Sequence, residues 1–279
     1  MITSEKIFVA VDFKPFTYTV LSYAVWLSRV VDCSSITLFH IMEYAMTPPA
    51  YLMPYIIKEK KKVETNLKEL TTKLTEFQLN IDSRVVFGRL IDGIREVIDE
   101  ERSFAVIGFK THITRPSTSE RILKGIKVPI LIVKGESFQE INPEWIKIKN
   151  ILCPVDFSEN SLRALDLAKE ISEKCDSNLT ILYVVPEQKI RNIIQDAEVI
   201  DKYIDYLKEE AVEKFQKIDK KMHYQVLSGI PSDEILKKAE DMDLIIIGSQ
   251  GRTYTEALII GSVSEAIIKN SNKPILFFP

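Results

Sequence analysis

The sequence predicts an α/β fold built twice: two tandem, open, five-stranded parallel sheets with helices on both faces. Two observations predict it. Five short apolar segments recur in the same order in the two halves of the chain, and the stretches between them change to helical spacing. Lys6 to Phe13 (KIFVAVDF) is echoed by Lys149 to Phe157 (KNILCPVDF), with Asp12 and Asp156 144 residues apart. SITLFHI from Ser35 answers NLTILYV from Asn178, and RVVFG from Arg84 answers YQVLSG from Tyr224. FAVIG from Phe104 answers LIIIG from Leu244, and VPILIV from Val128 answers KPILFF from Lys273. Five matches in one order mark a duplicated domain. The expected division is residues 1–137, a linker at 138–147 where polar residues and Pro143 break the pattern, and residues 148–279.

Each apolar segment is short, and Leu244 to Ile247, too short for a buried helix and rich in β-branched residues, reads as a buried parallel strand. Between strands the apolar residues move to steps of three and four. In the first half Phe16, Val20, Ala24, Leu27 and Val31 mark one helix face, and Val63, Leu67, Leu70, Leu74 and Phe77 another. In the second half Leu162, Leu165, Ala168 and Ile171 answer the first face. Ile200, Tyr203, Leu207, Ala211, Phe215 and Ile218 answer the second. Strands alternating with crossover helices imply a parallel sheet covered on both faces, with ligands beyond the carboxyl ends of the strands at a switch in strand order. Asp156 and Gly248 each follow such an end and so become candidate neighbours across 92 positions.

The stretch from Asp243 to Ser264 (DLIIIGSQGRTYTEALIIGSVS) carries the clearest chemistry. A strand runs into Gly248 and Gly251, and Gly261 and Ser262 then open an apolar helix, a G-x2-G-x9-G-S spacing. Glycines admit a ligand close to the backbone, and a helix start offers N–H groups and a favourable dipole to phosphate. The spacing is neither a Walker loop nor G-x-G-x-x-G. The same residues also suit a strand stop, a loop turn and a helix start, and by themselves they leave both readings open.

Composition narrows the classes. A net charge of −3 gives no electrostatic case for a nucleic-acid partner. Cys33, Cys153 and Cys175 lack metal or redox spacing, and His40, His112 and His223 lie far apart in sequence, so no metal site is expected. The N-terminal residues lack a signal-peptide pattern, and no apolar run approaches the ~18 residues that span a bilayer. The expectation is a cytoplasmic protein with no membrane partner. The lysine run Lys58 to Lys62 (KEKKK) reads as a solvated helix start.

With these residues in hand, the second half resembles the universal stress protein family over its full length. The resemblance rests on ILCPVDFSENS from Ile151, ILYVV from Ile181 and the G-x2-G-x9-G-S loop. The whole chain looks like a tandem member. The resemblance implies the adenine nucleotide alpha hydrolase-like fold with strand order 3-2-1-4-5. It also implies ATP as ligand, with ADP or AMP as alternatives and Mg2+ accompanying a triphosphate. Pro154, Val155 and Asp156 would line the adenosine pocket, with Asp156 accepting hydrogen bonds from the ribose, and Val184 would meet the adenine edge through its backbone. Gly248, Gly251, Arg252, Gly261, Ser262, Val263 and Ser264 would hold the phosphates. Ser158 also reads as a helix N-cap with Glu159 favourable in the first turn.

The first half departs from this pattern. Thr111 stands where the second glycine belongs, no Gly-Ser pair follows, and Gly108 to Pro129 spans 21 positions against 26 from Gly248 to Pro274. Lys14 replaces the capping serine, and a lysine at a helix start opposes the dipole. Lys110, His112, Arg115 and Arg121 read as surface charges. The expectation is one nucleotide site per chain, no catalytic residues, and a first domain that acts as a degenerate scaffold. The rivals are a slow ATPase and a partner-binding scaffold without nucleotide. The resemblance also implies a pseudo-dimer of the two domains through their apolar final strands, Pro129 to Val133 and Pro274 to Phe278, and leaves a homodimer of the full chain as an open alternative.

Overall fold

The computed structural model describes residues 4–43, 49–88, 92, 94, 95, 98, 103–109, 127–219, 222–249 and 260–279. The chain divides into two compact units, with the main break between Lys147 and Ile148.

In the first unit, β1 (Lys6–Ala10), β2 (Ser35–Glu43), β3 (Asn80–Gly88), β4 (Ser103–Gly108) and β5 (Ile130–Val133) form a parallel array in the order β3-β2-β1-β4-β5. Helix α1 (Thr17–Val30) connects β1 to β2, and α2 (Met53–Leu74) lies between β2 and β3. Three of the five strands match the recurrent segments within two residues at either end, and β1 stops at Ala10, three residues short of Phe13. The third starts earlier, at Asn80, because β2 is long enough to pair with it over nine residues. The α1 face predicted from spacing is buried throughout: Phe16, Val20, Ala24, Leu27 and Val31 all lie in the core. On α2 the four predicted residues Val63, Leu67, Leu70 and Leu74 are buried. Phe77 is half-buried because it falls in a 3-10 turn, Thr75–Phe77, beyond the helix end.

In the second unit, β6 (Asn150–Pro154), β7 (Asn178–Pro186), β8 (Tyr224–Gly229), β9 (Leu244–Gly248) and β10 (Ile275–Phe278) are parallel in the order β8-β7-β6-β9-β10. This is the implied order 3-2-1-4-5. The helices are α3 (Glu159–Cys175), α4 (Glu187–Arg191), α5 (Ala197–Ile218), α6 (Pro231–Ala239) and α7 (Ser262–Asn270). One predicted face needs correction. On α5 the core side is Ile200, Ile204, Ala211 and Phe215, whereas Tyr203 and Ile218 are exposed. Counting turns from Ile200 at 3.6 residues each returns to Ile204, and Tyr203 stands off to the side of that stripe.

Both units hold the chain after their first strand in the same uncommon conformation. Phe13 and Phe157, the last residues of the two Val-Asp-Phe triplets, have φ of 57° and 62°. Asp32 and Asp176, just past the following helices, have φ of 49° and 51°. A β-carbon makes this left-handed region unfavourable, yet the aromatic is retained because its ring packs in place. Phe13 lies 4.8 Å from His40, and Phe157 lies 5.2 Å from Tyr183 and 4.8 Å from Phe215. The expected linker also has structure. Residues 136–145 lie along α1, where Thr19 Oγ1 donates to Glu136 O (3.0 Å) and accepts from the Phe138 N–H (2.8 Å). The Asn142 N–H donates to Ser22 Oγ (2.9 Å), and Arg29 pairs with Glu144.

Candidate functional site

A cleft of about 210 Å³ opens at the carboxyl ends of β6, β7 and β9. It forms where strand order reverses: β6 connects through α3 to β7 on one side, while β9 pairs with β6 on the other. Neighbouring strands whose crossovers leave in opposite directions cannot fill the space beyond their ends, so the sheet topology itself makes the cavity.

The cleft gathers most of the residues singled out in the sequence. Pro154, Val155, Asp156, Val184, Gly248, Gly261, Ser262, Val263 and Ser264 all line it. Gly251 and Arg252 lie outside the described residues, as do Lys110, Thr111, His112, Arg115 and Arg121 of the first half. Spacing alone did not find several other lining residues: Ser161, Leu182, Tyr183, Pro186, Lys189, Pro231, Ile235 and Ile247. Pro231 and Ile235 come from α6, and Lys189 from the short α4. Neither helix start carries a glycine signature, so only the packing of distant elements brings them here.

Asp156 follows β6 and is exposed to the cleft. Its Oδ1 accepts the Ser158 N–H (3.0 Å), which fixes the carboxylate and leaves Oδ2 without a partner among the described residues. Ser158 is the N-cap of α3 as its sequence position predicts, with its Oγ accepting the Ser161 N–H. The helix therefore starts at Glu159, and its own cap is internal to the protein. An ionised carboxylate with an open oxygen accepts hydrogen bonds from hydroxyl groups.

Val184 supplies a backbone edge. The Val155 N–H donates to Leu182 O (2.8 Å), and the β6–β7 ladder ends at Pro154 and Leu182. Backbone groups in a strand alternate sides every residue, so those of Val184 point the same way as those of Leu182. No strand pairs with that edge of β7 beyond Leu182 among the described residues. The edge presents one donor and one acceptor to the cleft. Around it stand Pro186, Pro231 and Ile235, which give an apolar slot. Burial pushes the phenol of neighbouring Tyr183 above its ordinary pKa.

The third side is the start of α7. Gly261 is its N-cap in extended conformation, and no side chain caps the helix. The first N–H groups of an α-helix, here those of Ser262, Val263 and Ser264, have no intrahelical acceptor. The Ser264 hydroxyl is turned inward and donates to Gly248 O (3.0 Å), tying the helix start to the end of β9. Gly248 has a packing role of its own. A β-carbon there would lie 2.6 Å from Asn160 O and 2.8 Å from Ser161 N, so only glycine lets α3 approach the strand end. The adjacent Asn160 Nδ2 donates to Ser249 Oγ (2.7 Å), closing the same seam. Among the described residues no group of three His, Cys, Asp or Glu side chains could hold a metal ion, and no helix is long and apolar enough to cross a membrane.

Residues 147–279 match the model of the universal stress protein family. A universal stress protein of Methanocaldococcus jannaschii is 34% identical over 139 residues, which cover 46% of this chain and 80% of that protein. The chain belongs to the universal stress protein family. A second family member from the same organism is 33% identical over 153 residues, 47% of this chain and 94% of that protein. A solved universal stress protein from Archaeoglobus fulgidus shares the fold over 98% of both chains, with a TM-score of 0.67 and 22% identity. The family fold therefore extends over the whole chain, including the half that lacks the glycine loop.

Proposed function

We propose that this tandem universal stress protein binds one adenine nucleotide, ATP in the first instance, in the cleft of its second unit, and that it serves a regulatory or stress-response role. The observation that carries the reading is a convergence of three chemically distinct surfaces on one cleft. These are the apolar slot with the Val184 backbone edge, the fixed carboxylate of Asp156, and the uncapped start of α7. They suit a base, a ribose and a phosphate chain respectively. The slot excludes water from a flat aromatic ring while the Val184 donor and acceptor pair with its edge. Asp156 accepts from the ribose hydroxyls. Ser262, Val263 and Ser264 offer backbone N–H groups and the positive end of the helix dipole to the phosphates. Gly251 and Arg252 belong to the same proposal through the family loop. Mg2+ accompanying a triphosphate would be carried on the phosphate oxygens.

The reading has no hydrolytic step. No lysine of a Walker loop is present in the sequence, and this proposal gives Asp156 to the ribose rather than to an attacking water. Isothermal titration with ATP tests it, with a stoichiometry near one per chain expected. Gly261→Val should weaken binding by roughly a hundredfold or more, because a branched side chain at the N-cap would stand where the phosphates approach. Two equal sites would overturn the scaffold role of the first unit, and no binding would favour the partner-binding scaffold. Phosphate release faster than about 1 per second that is lost in Gly261→Val would make the protein an ATPase.

A further inference from the structure

The first ten residues of α2 overhang the core. No residue from Pro49 to Lys62 is buried, and the first buried position of the helix is Val63. A helix normally pays for its order by burying an apolar face, yet here almost three turns project with most of their apolar residues outward and only Ile56 half-buried. Tyr51 is 75% exposed, Tyr55 74% and Ile57 50%, with Leu52 and Met53 exposed beside them. Directly behind this tip come Lys58, Lys60, Lys61 and Lys62, with Glu59 as the one acid among them. The run that reads in the sequence as a solvated helix start is therefore a basic collar inside a helix that began five residues earlier. Lys60 reaches back over the Phe87 ring (5.5 Å), itself 40% exposed, and pairs with Glu64 (3.6 Å).

Apolar and charged residues here are separated along the helix axis. At 1.5 Å per residue, the collar ends about 10 Å behind Tyr55. A protein groove selects a stripe along one side of a helix. A second copy of this chain meeting the same surface would bring two lysine collars together. A planar boundary between apolar interior and anionic headgroups matches a separation along the axis, and tyrosine suits that boundary because its ring is apolar and its hydroxyl polar. The chain as a whole is acidic, at −3, while residues 51–62 carry +3. We propose that the start of α2 is a peripheral docking site for an anionic lipid surface, with Tyr51, Leu52, Met53, Tyr55 and Ile57 entering the interface and Lys58, Lys61 and Lys62 meeting the headgroups. Attachment is peripheral, since no described helix is long and apolar enough to cross a membrane.

Co-sedimentation of the full chain with lipid vesicles tests this independently of nucleotide. Vesicles of phosphatidylcholine with about 30% phosphatidylserine should pellet the protein, and pure phosphatidylcholine should not, because each basic residue near the surface adds attraction only to anionic lipid. The triple variant Lys58→Glu, Lys61→Glu, Lys62→Glu should lower partition by roughly a hundredfold, and Tyr55→Ser with Ile57→Ser by roughly tenfold. All of these positions lie outside the core, and circular dichroism melts should match the parent. Failure of the parent to bind anionic vesicles overturns the proposal, and so does equal binding by the triple variant. Self-association of the parent that the Tyr55→Ser, Ile57→Ser variant abolishes, without vesicle binding, would assign the surface to a second copy instead.

Discussion

Two residues past the first strand of each unit stands the aspartate of a Val-Asp-Phe triplet, Asp12 or Asp156, yet the two carboxylates have different fates. Asp12 is engaged on every side. Its Oδ1 accepts from the Lys14 N–H (3.2 Å) and Thr17 Oγ1 (3.3 Å), and its Oδ2 pairs with Lys14 Nζ (3.1 Å). Asp156 holds only the Ser158 N–H and keeps an oxygen for the cleft. The backbone is the same at both places, down to the positive φ of the following phenylalanine. What differs is who caps the next helix. Ser158 caps α3, so Asp156 is spared. In the first unit α1 starts later, at Thr17, with no side-chain cap, and Lys14 turns back to the aspartate. One side chain at the helix start therefore decides whether both carboxylate oxygens are taken up within the protein or one stays open to the cleft.

The glycines that end the fourth strand of each unit offer the sharpest way to break this comparison. A β-carbon at Gly248 meets backbone of Asn160 at 2.6 Å, whereas at Gly108 it meets the side chains of Val20 (3.0 Å) and Phe16 (3.1 Å). Backbone cannot step aside as a side chain can. Gly248→Ala should destabilise by about 3 kcal/mol and Gly108→Ala by about 1 kcal/mol. Urea unfolding followed by circular dichroism would measure both, and equal losses would mean that the seam between α3 and β9 is not rigid.

The aspartates give the next largest difference. Asp156→Ala should weaken ATP binding by about 1.5–3 kcal/mol, the range for a hydrogen bond to a charged group. Asp12→Ala should leave affinity unchanged by the same titration. A loss in both would overturn the scaffold role of the first unit.

Lys134, just past β5, is buried against the Phe109 ring at 4.7 Å. Burial pushes its pKa down to about 8. The folded state therefore releases this proton before the unfolded chain does. Stability should rise as pH increases from about 8 toward the unfolded value near 10.5, and stay level with respect to this group below about 7. Lys134→Met should remove that rise and raise stability at neutral pH. Both tryptophans, Trp26 and Trp145, belong to the first unit, so their fluorescence reports the relevant transition.

The smallest effect concerns the segment along α1. Thr19→Val removes the hydroxyl that bonds Glu136 O and the Phe138 N–H, and should destabilise the first unit by about 1 kcal/mol. Amide hydrogen exchange at Phe138 and Asn142 would quicken if these bonds hold the segment in place.

Much of this protein is decided locally, and so was legible in its residues. Short apolar runs make the strands among the described residues, steps of three and four make the buried face of α1, and Ser158 with Glu159 marks the start of α3. These features depend on propensity and period within a dozen positions, and the repeat doubled each signal. Strand order came through the family resemblance. Other features depended on which distant segments come close. Lys189, Pro231 and Ile235 reach the cleft from helices that follow β7 and β8, and no spacing connects them to Asp156. The need for glycine at 248 arises from the approach of α3, not from the loop that follows. The occupation of Asp12 depends on a helix that starts three residues beyond Lys14. The projection of α2 past the core is likewise invisible in its composition, because only the packing of Val63 onward shows where the core stops. Period places a side chain on its own element, and contact between elements decides what that side chain is for.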